Sequence, residues 1–291
     1  MPDTIDFIGI GAPRCGTSWV ANVLRAHPEI CISEPKEVRY FNRMEMPVGR
    51  LKGNLNANFD QDISWYLKRF SHAKPGQLRG EISPVYLSDE HAAAAIKAQY
   101  ADIKLIVCLR NPVDRAFSFY KLHRGNSIID NMSFEDALEK EDVYVRTGMY
   151  GEHLERYLEQ FDKDQILFII FEDLIAEPKR ELGRIFEFLG LEAPIDLDPS
   201  KFHTNESAKM RSNKLHKLAI RVSQWLIEHG LSKVLLLLRA MGAHKLLNRI
   251  NAAPVKRESI SDATRASLVA AFRDDIIRLE KLFDVDLGRW K

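Results

Sequence analysis

A glycine-bounded loop near the start of the chain has the residue types that bind an anion. The apolar run 5–10 leads into the loop 11–18 (GAPRCGTS), and a helical pattern follows from Thr17 to Ala26. In a strand–loop–helix junction of this kind, backbone N–H groups turn inward and the helix N-terminus adds positive dipole character. The loop therefore predicts a phosphate-like ligand. The predicted contacts are the Arg14 side chain and the amides of Cys15, Gly16, Thr17 and Ser18.

The same loop nearly repeats the nucleotide-triphosphate motif G-x4-G-K-[ST], with an informative difference. Thr17 stands where that motif has lysine, and a cation comes earlier as Arg14. Three interpretations are open: a degenerate triphosphate loop, a plain strand-to-helix turn, and a loop that holds one phosphosulfate. The preceding strand and following helix favour an anion-binding function over a plain turn.

A second cation follows a second apolar run. Residues 104–109 (KLIVCL) are typical of a strand buried on both faces, and Arg110 comes directly after them. That position is the edge at which ligands bind in open α/β sheets. Ser118 lies in a helix that begins at about Pro112, so the guanidinium and the hydroxyl could converge on one phosphate. The other interpretation, equally open on periodicity, pairs Arg110 with Asp114 as a surface cap.

The elements that must position these residues alternate between short strands and longer helices. Strands are predicted at 5–10, 31–32, 104–109 and 165–171, and helices at 17–26, 62–70, 89–100, from 112, 133–141, 151–161, 179–189, 214–229, 231–250 and 262–283. Strands separated by helices imply right-handed crossovers and a mainly parallel sheet covered on both faces. We predict a single domain over 1–291. It has a three-layer, P-loop NTPase-like α/β core over 1–213 and a helical extension over 214–291.

Composition limits the function classes. The chain has 291 residues, 45% of them hydrophobic and 29% charged, with a formal net charge of +1. These values are ordinary for a globular α/β protein, and the charge balance argues against a general nucleic-acid binder. No secretory signal pattern and no apolar run long enough to span a bilayer is visible. The three cysteines have no metal-ligand spacing and indicate reduced, buried thiols, so a cytoplasmic location is predicted.

Taken together, the two motifs resemble those of the sulfotransferase family, especially carbohydrate sulfotransferases related to the heparan sulfate enzymes and their bacterial relatives. The loop around Arg14 is similar to the family's 5′-phosphosulfate-binding loop. The R-N-P sequence followed by an Arg and a helical Ser is similar to its 3′-phosphate element. The resemblance implies 3′-phosphoadenosine 5′-phosphosulfate (PAPS) as donor, the bisphosphate PAP as product, and no metal. It assigns Arg110 and Ser118 to the 3′-phosphate.

The resemblance also points to a general base. The segment 36–41 (KEVRYF) is similar to the family segment that carries this base, which selects Glu37 over Glu34. Without the resemblance, either Glu would be read as a solvated loop charge. Arg39 stands where some relatives have His, and Ile82 where glycan enzymes have a substrate-side Lys, which weakens any inference to a sulfated glycan. Candidate acceptor contacts are Arg39, Glu81, Ser83, Tyr86 and His123.

Three further hypotheses come from the rest of the chain. Lys209 and Arg211 fall where the family has a basic segment that closes over the cofactor, although a solvated linker is an even alternative. The basic helices predicted over 214–251 could contact a membrane surface, but packing on the domain or in a homodimer is favoured. The leading function is sulfuryl transfer to a hydroxyl or amine of a glycan, lipid or small metabolite. The alternative is an ATP-dependent small-molecule kinase, with Asp173 on Mg²⁺.

Overall fold

A five-stranded parallel sheet forms the centre of the protein. The computed structural model describes residues 4–43, 45–46, 53–54, 58–126, 128–129, 132–194, 198–199 and 259–291. The strands are β1 (Phe7–Gly11), β2 (Ile30–Ile32), β5 (Leu78–Ile82), β6 (Lys104–Leu109) and β7 (Ile166–Ile170), in the order β2-β5-β1-β6-β7. A short antiparallel pair, β3 (Glu45–Met46) and β4 (Gly53–Asn54), lies outside this sheet.

The order of the strands places the two predicted anion motifs side by side. In the centre, Phe7 of β1 pairs with Gly80 of β5 on one side and with Lys104 of β6 on the other. Because all these strands are parallel, the loops that follow β1 and β6 leave the sheet at the same edge. The sheet therefore brings the segments after Gly11 and Leu109 together.

Helices flank the sheet, which confirms the predicted α/β fold. Their bounds are α1 (Thr17–Ala26), α2 (Ile63–Leu67), α3 (Ala92–Gln99), α4 (Pro112–Gly125), α5 (Phe134–Lys140), α6 (Val143–Arg146), α7 (Tyr150–Leu158), α8 (Phe171–Ala176), α9 (Pro178–Leu189) and α10 (Asp262–Phe283). Short 3₁₀ turns occur at Lys68–Phe70, Tyr86–Ser88, Lys163–Gln165 and Gly288–Trp290. A capping box begins α5, with the side chains of Ser133 and Asp136 bonded to each other's backbone N–H.

The sequence did not predict β5, although this strand lies between β2 and β1. Its sequence, LRGEI, places Gly80 and Glu81 in a buried strand, where apolar residues are expected. A Cβ at Gly80 would lie 2.3 Å from the ring of Phe7, so only glycine allows the two strands to pack. A second difference is at Phe171, which begins α8 and does not end β7, and the short elements β3, β4 and α6 were also not predicted.

The chain divides into two compact units. The first contains 1–120, 132–204 and 260–291, and the second contains 121–131 and 205–259. Helix α10 packs on α7 within the first unit, where Asp275 accepts hydrogen bonds from the backbone N–H groups of Gly151 and Glu152, both at 2.8 Å. The helices predicted over 214–251 lie outside the described residues, so the division into a core and a helical extension stays a prediction.

Candidate active site

The loop after β1 has the form that an anion cradle requires. Gly16 is the N-cap of α1 with φ +85°, a left-handed conformation that favours glycine. The helix begins at Thr17, so the N–H groups of Thr17 and Ser18 come before the first helical hydrogen bonds, which Trp19 and Val20 donate to the carbonyl of Gly16. Behind the loop, a Cβ on Gly16 would lie 2.9 Å from the ring of Phe171, which shows how closely this ring supports the backbone.

Arg14 is turned from the loop toward the second motif. Its backbone also lies in the left-handed region, with φ +73°, which is uncommon for a residue other than glycine and is typical of functional loops. The Nε of Arg14 donates a hydrogen bond to the Oγ of Ser118 at 3.1 Å, across 104 residues of sequence. Burial lowers the pKa of Arg14, and the nearby charge of Arg110 lowers it further. Arg14, Arg110 and Ser118 therefore belong to one positively charged site.

Arg110 is held at the end of β6 by aromatic residues. Its guanidinium lies over the ring of Phe171, 4.8 Å from the centroid, and its carbonyl accepts a hydrogen bond from the Tyr150 hydroxyl at 3.0 Å. Tyr150 also contacts the Sγ of Cys15, at 3.7 Å, so one side chain supports both motifs from behind. Cys15 itself is buried, and burial raises the pKa of its thiol to about 11.

The ion pairs do not support the interpretation in which Arg110 pairs with Asp114 as a surface cap. Asp114 accepts a hydrogen bond from Arg265 of α10, at 2.8 Å. The start of α4 is capped instead by Asn111, whose side-chain oxygen accepts from the Val113 N–H at 3.0 Å. Asp114 is thus engaged by another cation.

Glu37 lies at the same edge of the sheet, between two cations. Its carboxylate pairs with Lys36 at 3.2 Å and with Arg39 at 2.7 Å, and 31% of the side chain is exposed. Burial raises the pKa of Glu37, but the charge of Lys36 and the hydrogen bond from Arg39 outweigh it, so the pKa lies below its ordinary value. The carboxylate is therefore ionised at neutral pH and is able to accept a proton.

Lys36 connects this carboxylate to the anion-binding loop. Its Nζ lies 3.4 Å from the Oγ of Ser18 and 3.2 Å from Glu37. No role for Lys36 is predicted from the sequence, because a single lysine in a loop is usually a solvated charge. Its position beside Glu37 in KEVRYF was the one available signal. The structure thus places an ammonium between the proposed base and the cradle.

The predicted acceptor contacts do not share one environment. Arg39 is partly exposed beside Glu37, whereas Glu81, Ser83 and Tyr86 are fully buried and hydrogen-bonded to the backbone of 38–41. His123 belongs to the second compact unit, near the end of α4. Lys209 and Arg211 lie outside the described residues. Contact of any of these residues with an acceptor stays a prediction.

Asp173, the residue that the kinase alternative needs for Mg²⁺, is bound to an arginine. Arg289 donates to both of its carboxylate oxygens, at 2.6 and 2.7 Å, and the hydrogen bond holds the pKa of Asp173 below its ordinary value. Within the ranges that the structure describes, no group of three or more His, Cys, Asp or Glu has a metal-binding arrangement. In the same ranges, each helix is too short or too polar to cross a bilayer.

Comparison with known proteins agrees with this geometry. A family model described as "Sulfotransferase domain" matches residues 4–231. Human heparan sulfate glucosamine 3-O-sulfotransferase 3B1 is 32% identical over 190 residues, which cover 62% of this chain and 45% of the human protein. Mouse heparan sulfate glucosamine 3-O-sulfotransferase 6 is 31% identical over 191 residues, covering 62% and 51%. This chain thus matches about half the length of these curated relatives.

A solved structure extends the likeness to the whole fold. The sulfotransferase from Alicyclobacillus acidocaldarius superposes with a TM-score of 0.69 over 99% of this chain and 98% of that one, at 24% sequence identity. At this identity the likeness shows the fold. It agrees with the parallel sheet and the flanking helices described above.

Proposed function

The chain belongs to the sulfotransferase domain family, and we propose that it transfers a sulfuryl group from PAPS to a hydroxyl or amine of an acceptor. The observation that carries the proposal is the hydrogen bond between Arg14 and Ser118. It joins the loop after β1 to the helix after β6, so two separated cationic motifs form one site. A ligand with an anionic group at each end of an adenosine needs such a pair of clamps.

The hydrogen-bond donors described above fit PAPS, the sulfuryl donor used in this family. Arg14 and the amides of residues 15–18 would hold the 5′-phosphosulfate, and Arg110 and Ser118 the 3′-phosphate. The side chains at both ends are hydrogen-bond donors, two of them cationic, as a ligand with several negative charges requires. When bound, PAPS supplies the sulfuryl group that is transferred. Lys209 and Arg211 are proposed as further contacts from a segment outside the described residues.

The residues of the chain supply positioning, charge and a proton acceptor. Arg14 and the loop amides stabilise negative charge on the leaving side, and Glu37 accepts the proton of the attacking hydroxyl or amine on the other side. Lys36, which touches both Ser18 and Glu37, holds the carboxylate ionised and fixes it near the cradle. Fixed cations carry out the charge stabilisation, so the proposed reaction calls for no metal.

The acceptor is proposed by chemical class. The relatives described above are named for a glucosamine of heparan sulfate, so amino sugars and their oligosaccharides come first in a screen, followed by lipid headgroups and small alcohols or phenols. A cytoplasmic location, a homodimer and membrane contact through 214–251 stay hypotheses. Transfer from ³⁵S-labelled PAPS to each acceptor measures the activity directly.

Calorimetry tests the donor site. We expect PAP to bind with the same affinity in EDTA and in Mg²⁺, and more tightly than ATP, because the clamps match a 3′- and a 5′-anion. Arg14→Ala should weaken PAP binding about tenfold or more, since a charge-assisted hydrogen bond is lost. Arg25→Ala, which removes an exposed cation from α1, the helix that follows the loop, is the matched control. Binding of ATP that depends on Mg²⁺ and exceeds that of PAP would overturn the proposal in favour of the kinase.

A further inference from the structure

The segment that follows Glu37 has no helix or strand to bind its backbone N–H groups. Side chains from β5 and the turn after it bind them instead, one residue after another. Val38 N–H donates to Glu81 at 3.1 Å, Arg39 N–H to Ser83 at 3.0 Å, and Tyr40 N–H to Tyr86 at 2.8 Å. The Tyr86 hydroxyl also accepts from Phe41 N–H, at 3.3 Å. We refer to residues 38–41 as the base-flanking segment.

Two of the three side chains that hold this segment donate hydrogen bonds to the third, the carboxylate of Glu81. Ser83 donates at 2.6 Å and Tyr86 at 2.7 Å. Tyr66 adds a further donor at 3.0 Å. Glu81, Ser83 and Tyr86 have no exposed surface. The base-flanking segment is therefore tied, directly or through one hydroxyl, to a buried acidic group.

The direction of the hydrogen bonds requires Glu81 to be an acceptor at both oxygens. Ser83 and Tyr86 accept from backbone N–H groups, so the proton of each hydroxyl is directed to the carboxylate. Oε1 then receives Tyr66 and Tyr86, and Oε2 receives Ser83 and the Val38 N–H. An amide in place of the carboxylate would present an N–H to two donors, and a shorter side chain would leave them without an acceptor.

We propose that Glu81 is the positioning residue for the Glu37 base, acting through Ser83, Tyr86 and the backbone of 38–41. The inference rests on the proposed function, because it assigns Glu37 the role of base. Arg39 links the buried network to Glu37. Its backbone is left-handed, with φ +55°, and its N–H donates to Ser83. Its side chain reaches Glu37 at 2.7 Å, so the buried network sets the direction from which a cation meets the base.

Hydrogen exchange resolved to single amides tests the network without any need for an acceptor. In Tyr86→Phe, exchange at Tyr40 and Phe41 should rise about tenfold while Arg39 changes little, because one hydroxyl is removed and its ring is kept. In Ser83→Ala, the rise should be at Arg39. In Glu81→Gln, all four amides should exchange faster. Tyr66→Phe is the matched control, because its hydroxyl donates to Glu81 and to no amide of the segment.

Two further measurements separate positioning from general stability. Calorimetry with PAP should give the same affinity, within about twofold, for Tyr86→Phe and wild type, because the donor clamps lie on other elements. Turnover with labelled PAPS and an acceptor from the screen should fall in kcat, while the donor KM is kept. This pattern would support positioning.

Other outcomes overturn the proposal. Unchanged exchange at 38–41 in Tyr86→Phe and Ser83→Ala would show that the hydrogen bonds do not hold the segment. Equally faster exchange in β1 and β6 would show a role in overall stability alone. Failure of wild type to bind PAP would instead overturn the proposed function, and the exchange pattern would still report whether the network fixes the segment.

Discussion

The two halves of the site differ in what holds them. The half that we propose binds the anionic groups of the donor follows from regular elements: β1 and β6 end beside each other, and α1 and α4 begin there. The base-bearing half lies in a segment without regular structure, whose backbone is held by buried polar side chains. Strand and helix ends can present N–H groups and cations without further support. An irregular segment has to satisfy its N–H groups through side chains, and here a buried carboxylate is the final acceptor.

This difference predicts that the halves can be damaged separately. Glu37→Gln, which keeps the shape of the side chain and removes its basicity, should lower kcat about 10²–10⁴-fold and leave PAP affinity unchanged. Glu34→Gln is the matched control, since Glu34 is an exposed acid in the same loop. Single-turnover transfer from labelled PAPS measures the first quantity and calorimetry the second. Full activity in Glu37→Gln would show that Glu37 is not the general base.

A change at Arg110, in the other half of the site, should instead weaken binding of the donor nucleotide. Arg110→Ala should weaken PAP binding about tenfold to a hundredfold and should affect 5′-AMP, which lacks the 3′-phosphate, much less. Phe171→Leu, which keeps the guanidinium and removes the ring beneath it, should have a smaller effect in the same direction. Calorimetry with the two nucleotides measures the selectivity. Equal losses of affinity for PAP and for 5′-AMP would show that Arg110 does not bind the 3′-phosphate.

The sequence was informative for the first half and much less so for the second. The strand–loop–helix pattern and the apolar run before Arg110 predicted both anion motifs, because periodicity and glycine spacing report regular elements directly. No local pattern shows that Arg14 reaches Ser118, although the parallel order of β1 and β6 explains it.

The support of the base could not be predicted for a physical reason. Glu81 is a charged residue at a fully buried position of β5, and an isolated Glu is almost always interpreted as exposed. Its burial is tolerated because four donors surround it, and these come from Val38, Tyr66, Ser83 and Tyr86. Such a network depends on contacts between distant segments. The prediction that Glu81, Ser83 and Tyr86 contact the acceptor came from the resemblance of the segment 80–86 to a substrate-side segment of the family, and that resemblance carries no information on burial.

Lys36 is the residue that touches both halves of the site. Its charge lowers the pKa of Glu37, so Lys36→Met should raise that pKa. A base has to be ionised, so activity is present above its pKa and is lost as the pH falls below it. The acidic limb of the kcat profile should therefore move to higher pH, with a larger shift at low salt, because Glu37 is partly exposed.

Lys74→Met, which removes an exposed cation elsewhere, is the control for net charge and should leave the profile in place. Arg39→Met should move the limb in the same direction as Lys36→Met, since its hydrogen bond also favours the ionised carboxylate. The two variants differ in the other half of the site, because the Nζ of Lys36 contacts Ser18 whereas the guanidinium of Arg39 contacts Glu37. A loss of PAP affinity in Lys36→Met but not in Arg39→Met would show that Lys36 couples base and cradle. An unmoved limb in both variants would show that neither cation controls the protonation of the base.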